Sequence, residues 1–181
     1  PPTQVHRILS QYHAQYMDLQ SSVFKLSANE AETAPAENEW PVREAYAHML
    51  GAEFGFRAII RFALEGHRAG KWTNEPPAES EYPRLYGIPE DEYGALMKSP
   101  LQRMLTYHRE LHPSILEEFS TITEMELDLP STFWEETRFP IRYRLHRFEA
   151  HILQHTVQID KTLVSIGAAP NESRRLTRIL F

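Results

Sequence analysis

Apolar residues recur three or four positions apart along four long stretches of the chain, which is the spacing of helices with one buried face. In the first stretch this spacing joins Val5, Ile8, Leu9, Tyr12, Tyr16, Leu19 and Val23. In the last stretch it joins Ile141, Leu145, Phe148, Ile152, His155, Ile159 and Leu163. The pattern predicts long helices over residues 3–26, 41–65, 100–120 and 141–167, and a short tail helix over 172–180.

Prolines and glycines mark the ends of these helices and the connections between them. Pro41 suits a first helical turn, where its missing N–H would have no partner in any case. Gly167 suits the left-handed position that ends many helices. The segment 27–39 is expected to be a polar loop, and 66–100 a long connection with short helical pieces at most. We therefore expect one domain spanning residues 1–181, an all-α four-helix bundle with long connections.

Composition narrows the class of protein. Of the 181 residues, 41% are hydrophobic and 24% are charged, which is typical of a globular domain and not of a disordered chain. No apolar run reaches the length of about 18 residues that spans a bilayer, so we expect no membrane partner. The chain has no cysteine, which excludes disulfides, thiolate metal ligands and a cysteine nucleophile. A cytoplasmic location is the default expectation for such a chain.

The distribution of charge argues against a nucleic-acid partner. The formal net charge is −6, and the basic residues are spread along the sequence. Binding to nucleic acid normally requires a clustered basic face. Only Arg174, Arg175 and Arg178 resemble such a cluster, and they are too few to outweigh the acidic remainder of the chain.

Two histidine pairs are spaced as metal ligands on a helix would be. His151 and His155 lie four residues apart, so their rings stack on one face, and His155 belongs to the apolar stripe. Paired imidazoles at this spacing can bind one ion. His108 and His112 have the same spacing on the third helix, and the pattern leaves open which pair binds a metal. For each pair the alternative is a set of core histidines with hydrogen-bonded partners.

A third ligand has to come from another helix, and His48 is the best candidate by pattern. It lies on or beside the inner face of the second helix, near Ala45 and Met49. The alternative is a semi-buried histidine satisfied by a hydrogen bond. Burying an imidazole without a partner costs about 1–3 kcal/mol, so three inward-facing rings would need something that satisfies them.

Two short motifs resemble those of a known family. The segment from Trp40 to His48 resembles the start of the second helix in the DinB/YfiT-like superfamily. The segment from His151 to Ile159 resembles the closing motif on the last helix of that superfamily's bundle. The order of the helices and the length of the chain are similar as well, so the resemblance extends over nearly the whole sequence.

The resemblance implies a bundle with a divalent metal held by His48, His151 and His155. It also implies a metal-dependent enzyme acting on a small-molecule substrate, and a homodimer. Characterised relatives use bacillithiol, mycothiol or glutathione in S-transfer or isomerisation, so a low-molecular-weight thiol is the implied cosubstrate. No residue that binds the thiol can be matched, and no residue is assigned a catalytic role.

Three imidazoles around one ion leave an open position, as in catalytic sites. Nitrogen ligands suit Zn²⁺, which availability favours, and Ni²⁺ is the closest rival. An ion with an open position can lower the pKa of a bound thiol or water. The hypotheses are therefore a thiol S-transferase-like enzyme, a hydrolase that activates water, and a bundle that binds metal or ligand without catalysis. Gln158 and Glu44 are candidates to orient the imidazoles, and Arg147 could meet an anionic substrate or lie on the surface.

Overall fold

The computed structural model describes residues 2–133 and 137–168, together with Glu172 and Leu176. In this part the helices are α1 Gln4–Val23, α2 Ala28–Glu32, α3 Val42–Arg68, α4 Tyr82–Tyr86, α5 Glu90–Met97, α6 Leu101–Phe119 and α7 Ile141–Ser165. Two antiparallel strands, β1 Pro130–Ser131 and β2 Phe139–Pro140, pair directly before α7, and 3₁₀ turns cover Glu79–Glu81 and Glu126–Asp128. The fold is an all-α bundle, as predicted.

The apolar stripes form the core of this bundle. Helix α7 packs against both α1 and α3, and α6 packs against α3. Every stripe position predicted on α1 and on α7 is buried. Helix α3 is buried on more than one face, since Tyr46, Leu50 and Phe54 are inaccessible in addition to its predicted stripe. Such a helix is central to the bundle, because a helix with apolar residues around most of its circumference has no large face left for solvent.

The ends of the long helices differ from the sequence pattern by a few residues. Helix α1 begins after Thr3, whose side-chain oxygen accepts a hydrogen bond from the backbone N–H of His6, and it ends at Val23. Pro41 lies one position before α3, in an extended conformation with ψ 164°, and not in the first turn. Helix α3 then continues to Arg68. Periodicity identifies a helix better than its ends, because the end depends on local capping.

The segment predicted to be a polar loop, 27–39, contains the short helix α2. Ser27 caps it, and the Glu30 side chain bonds back to the backbone N–H of Ser27, which makes a capping box. This correction has a signal in the sequence, because serine followed by glutamate three residues later is a helix-start pattern. The segment 66–100 begins with the last turn of α3, which ends at Arg68. The rest agrees with its prediction, since it holds only the short helices α4 and α5 and one 3₁₀ turn.

After α7 the chain turns at Gly167, whose φ of 71° lies in the left-handed region that glycine adopts without strain. The tail helix predicted over 172–180 lies outside the described residues, apart from Glu172 and Leu176. In the described part of the chain, no helix has the length and apolar character needed to cross a bilayer.

Candidate metal centre

His151 and His155 face each other on the buried side of α7. Their side chains are almost fully enclosed, with exposed fractions of 8% and 4%. The two Nε2 atoms lie 3.1 Å apart, and the ring centroids are separated by 4.4 Å. The four-residue spacing places the rings on one face, and the packing of α7 against α3 turns that face inward.

His48 completes the cluster from α3. Its ring centroid lies 5.4 Å from that of His151 and 5.0 Å from that of His155. One nitrogen from each of the three rings lies within 4.8 Å of the others, so the group could hold a metal ion. Unlike the other two, His48 is exposed, so it lies beside the inner face of α3 and at the rim of the cluster. The three rings therefore form a site with two buried members and one that reaches solvent.

The buried imidazoles of this cluster favour the neutral form. Burial, followed by the neighbouring His155, His48 and Arg147 in that order, lowers the pKa of His151 to about 3. Burial also lowers the pKa of His155, with a smaller opposing effect from the hydrogen bond to Gln158. A metal ligand has to offer a lone pair, and only the neutral imidazole has one. At neutral pH the imidazoles of His151 and His155 are therefore in the protonation state that an ion requires.

Gln158 fixes the orientation of His155. The Nδ1–H of His155 donates a hydrogen bond to Gln158 Oε1 at 2.8 Å, which leaves the lone pair on Nε2, the atom that faces the cluster. This is the orienting role expected for Gln158. Glu44, the other candidate, pairs instead with Arg43 at 3.3 Å. Nδ1 of His151 is buried and bonds to no residue in the described ranges.

Aromatic side chains flank the histidines on two sides. The Trp40 ring lies 5.1 Å from the ring of His48, and the Phe56 ring lies 5.6 Å from that of His151. Phe56 also contacts Arg147, whose guanidinium carbon is 5.5 Å from the centre of the ring. The sequence pattern does not point to Trp40 or Phe56 as site residues, because Trp40 precedes a helix and Phe56 belongs to an apolar stripe.

The second histidine pair, on α6, has different surroundings. His108 is fully buried, and its Nδ1 lies 2.6 Å from the hydroxyl of Tyr46. Its Nε2 lies 2.6 Å from Oε2 of Glu53, although the carboxylate is off the direction of the ring N–H. Glu53 is itself inaccessible to solvent. His108 is thus a core histidine with a carboxylate partner, which was the alternative given for this pair.

His112 is engaged by other rings. Its Nε2 shares a hydrogen bond of 2.9 Å with Nδ1 of His13, and its ring stacks on Tyr16 at 3.8 Å. Burial, followed by the nearby His108 and His13, lowers the pKa of His112 to about 3. Among the residues that the structure describes, His48, His151 and His155 are the single group of three or more histidine or acidic side chains whose ligand atoms converge. The pair on α6 belongs to no such group.

An all-α bundle in which two facing helices bring three imidazoles together defines a class, that of helical bundle proteins with a candidate metal centre in the core. The family model described as the DinB superfamily matches residues 11–159, which is most of the chain. The chain therefore belongs to the DinB superfamily. This agrees with the resemblance noted in the segments 40–48 and 151–159. Comparison with curated proteins and with solved structures gave no match.

Proposed function

We propose that this protein is a metal-dependent enzyme that binds one divalent ion through His48, His151 and His155 and catalyses thiol-dependent S-transfer to a small electrophile. One observation supports a reactive centre more than any other: two ligands are buried while the third, His48, is exposed. A purely structural metal site is normally enclosed and saturated by protein ligands. A site with an accessible edge can admit a small molecule.

The proposed chemistry divides between the ion and the protein. A divalent ion in the cluster would supply Lewis acidity that lowers the pKa of a thiol. The protein holds the imidazoles of His151 and His155 neutral by burial, and Gln158 orients His155. The Phe56 ring packs edge-on against the ring of His151. Since the chain has no cysteine, the sulfur has to arrive with the cosubstrate, as bacillithiol, mycothiol or glutathione.

Three imidazole nitrogens suit several divalent transition metals. Zn²⁺ is the first choice because of its availability, and Ni²⁺ is the second. The proposal includes a cytoplasmic location, since low-molecular-weight thiols are kept reduced there.

The proposed activity is tested with protein prepared without a nickel column and loaded with Zn²⁺. Each of the three thiols is mixed with an aromatic chloride as model electrophile, and the loss of free thiol is followed. We expect metal-dependent consumption of at least one thiol above the uncatalysed rate. His151→Ala should abolish it, whereas His6→Ala, which removes an exposed imidazole on α1, should not.

Two results would contradict the S-transferase assignment. Metal-dependent hydrolysis of an activated ester without thiol consumption would instead support a hydrolase that activates water. Stoichiometric metal with neither reaction would support a bundle that binds metal without catalysis.

We also propose that the protein is a homodimer. Three large apolar side chains on the outer face of α7 are exposed: Leu153 at 47%, Val157 at 44% and Val164 at 73%. Their spacing places them on one side of the helix, and apolar patches of this kind favour association. Light scattering coupled to gel filtration measures the molar mass that tests this.

A further inference from the structure

Arg147 lies beside the candidate metal centre on α7. It precedes His151 by one turn, which is about 6 Å along the helix axis. The Phe56 ring contacts both side chains, with its centre 5.5 Å from the guanidinium carbon of Arg147 and 5.6 Å from the ring centroid of His151. The guanidinium of Arg147 therefore lies next to the histidine cluster, against the same Phe56 ring that packs on His151.

The guanidinium of Arg147 differs from those of the other arginines that are not exposed. Arg43, Arg57, Arg61 and Arg142 each pair with a carboxylate, and Arg144 bonds to Ser131. Arg147 is half-buried, yet it has no carboxylate within ion-pair distance in the described ranges of the chain. Arginines lacking a carboxylate elsewhere in these ranges, such as Arg7 and Arg103, are exposed and can be solvated by water. A partly desolvated guanidinium without an anion is a ready binding group for one.

A groove runs along α7 beside the histidines. Its volume is about 840 Å³, and its lining includes Trp40, Leu153, Val157, Gln154, Gln158 and Lys161. Trp40 and Gln158 are the residues that contact His48 and His155. Arg147 lies on the same face of α7 as Gln154 and Gln158, because separations of seven and eleven residues return to one side of a helix. Arg147 and the three imidazoles do not line the groove themselves, so the groove adjoins the centre through Trp40 and Gln158.

We propose that the substrate or cosubstrate of this centre carries a carboxylate that Arg147 binds, only a few bonds from the atom that meets the metal. This rests on the proposed function and adds the chemical class of the ligand to it. Arginine presents two parallel N–H donors that match a carboxylate, and the 6 Å step to His151 limits the length of the connecting chain. Trp40 would contact the apolar part of the ligand.

The test compares two small thiols on protein loaded with Co²⁺, whose absorption changes when sulfur binds. Mercaptoacetate has a carboxylate one carbon from its sulfur, and 2-mercaptoethanol has a neutral hydroxyl in its place. We expect the wild-type protein to bind mercaptoacetate about ten-fold or more tightly than 2-mercaptoethanol, since charge-assisted hydrogen bonds are the strong ones. Arg147→Met, which keeps an apolar stem against Phe56, should reduce that ratio toward one with the metal content unchanged.

Controls separate this inference from the proposed function. Arg147→Lys should retain part of the preference, because the charge remains but the paired donors are lost. Arg142→Ala removes an arginine of the same helix that pairs with Asp128, and the preference should persist. Equal binding of the two thiols by the wild type, or an undiminished preference in Arg147→Met, would overturn the inference. Absence of bound metal in the wild type would instead contradict the proposed function.

Discussion

Two histidine pairs with the same spacing on their helices have opposite surroundings. On α7, His151 and His155 face a third imidazole, His48, which reaches solvent. On α6, His108 and His112 are enclosed by hydrogen-bonding and aromatic partners. The nitrogens of the first pair converge with one of a third imidazole, and those of the second pair do not. Buried nitrogens without a hydrogen-bond partner among the described residues occur in both pairs, at Nδ1 of His151 and at Nδ1 of His112.

The partner across the helix interface explains the difference. Glu53 projects from α3 to His108, and Tyr46 projects from the preceding part of the same helix. Between these two residues in the sequence, His48 meets α7. On α6 a buried carboxylate lies against an imidazole, whereas at α7 three imidazoles converge without a carboxylate. One helix thus supplies a carboxylate to one pair and a third imidazole to the other.

The largest expected effect is the loss of bound metal when both histidines of the α7 pair are replaced. We expect about one divalent ion per chain in the wild type, and almost none in the His151→Ala, His155→Ala double variant, because a single remaining imidazole cannot retain the ion. Elemental analysis of protein purified without a nickel column measures this. The helical circular dichroism signal should persist in the variant.

The matched control is His108→Ala, His112→Ala, which should keep its metal. Full occupancy in the α7 variant together with loss in the α6 variant would reverse the comparison. It would move the site to the pair that the structure places against Glu53.

The pair on α6 should affect the free energy of unfolding and not the metal content. Glu53→Ala leaves His108 without its buried carboxylate, and breaking a buried pair from one side costs about 3–5 kcal/mol. The free energy of unfolding from urea titration of the metal-free protein measures this cost. Glu44→Ala is the comparison within α3, since its exposed pair with Arg43 should contribute less than about 1 kcal/mol. Equal losses for both variants would argue against a structural role for Glu53.

A smaller effect is expected at Gln158. Gln158→Ala removes the acceptor that holds Nδ1 of His155, and loss of such an orienting partner typically weakens metal binding about 10–100-fold. Gln154→Ala, an exposed amide one turn earlier on α7, should leave the affinity unchanged. Competition with a chelating dye gives the dissociation constants. If both variants bind metal as the wild type does, His155 is oriented by packing alone.

His112 is also expected to make the stability of the fold depend on pH. The pKa of His112 is about 3 in the folded protein, below the ordinary value of 6.5, so the unfolded chain binds a proton first as the pH falls. Stability from this residue is full above pH 6.5 and declines toward pH 3, by at most about 1.4 kcal/mol per pH unit.

The variant His112→Phe keeps a ring against Tyr16 and cannot titrate. Metal-free protein of this variant should show a shallower loss of stability between pH 6.5 and pH 3. His151 has a similarly lowered pKa, so part of the slope should remain. An unchanged slope in His112→Phe would show that the surroundings of His112 in the fold do not lower its pKa.

Glu53 and His48 show most clearly which properties the sequence pattern does not predict. A glutamate within a helix is expected to face solvent, yet Glu53 is inaccessible because α3 is enclosed by its neighbours. His48 was placed near the inner face by pattern, but its exposure depends on where α7 crosses α3. Neither property is local. Trp40 and Phe56 were missed as site residues for the same reason, since their contacts with the histidines come from packing.

The sequence by itself determined the long helices, the stripes of α1 and α7, and two histidine pairs, because the helical repeat of 3.6 residues is a local property of the backbone. Only the tertiary structure decided which pair meets a third imidazole and which meets a carboxylate. That choice depends on how side chains of separate helices interlock, and the order of residues along one helix does not contain it.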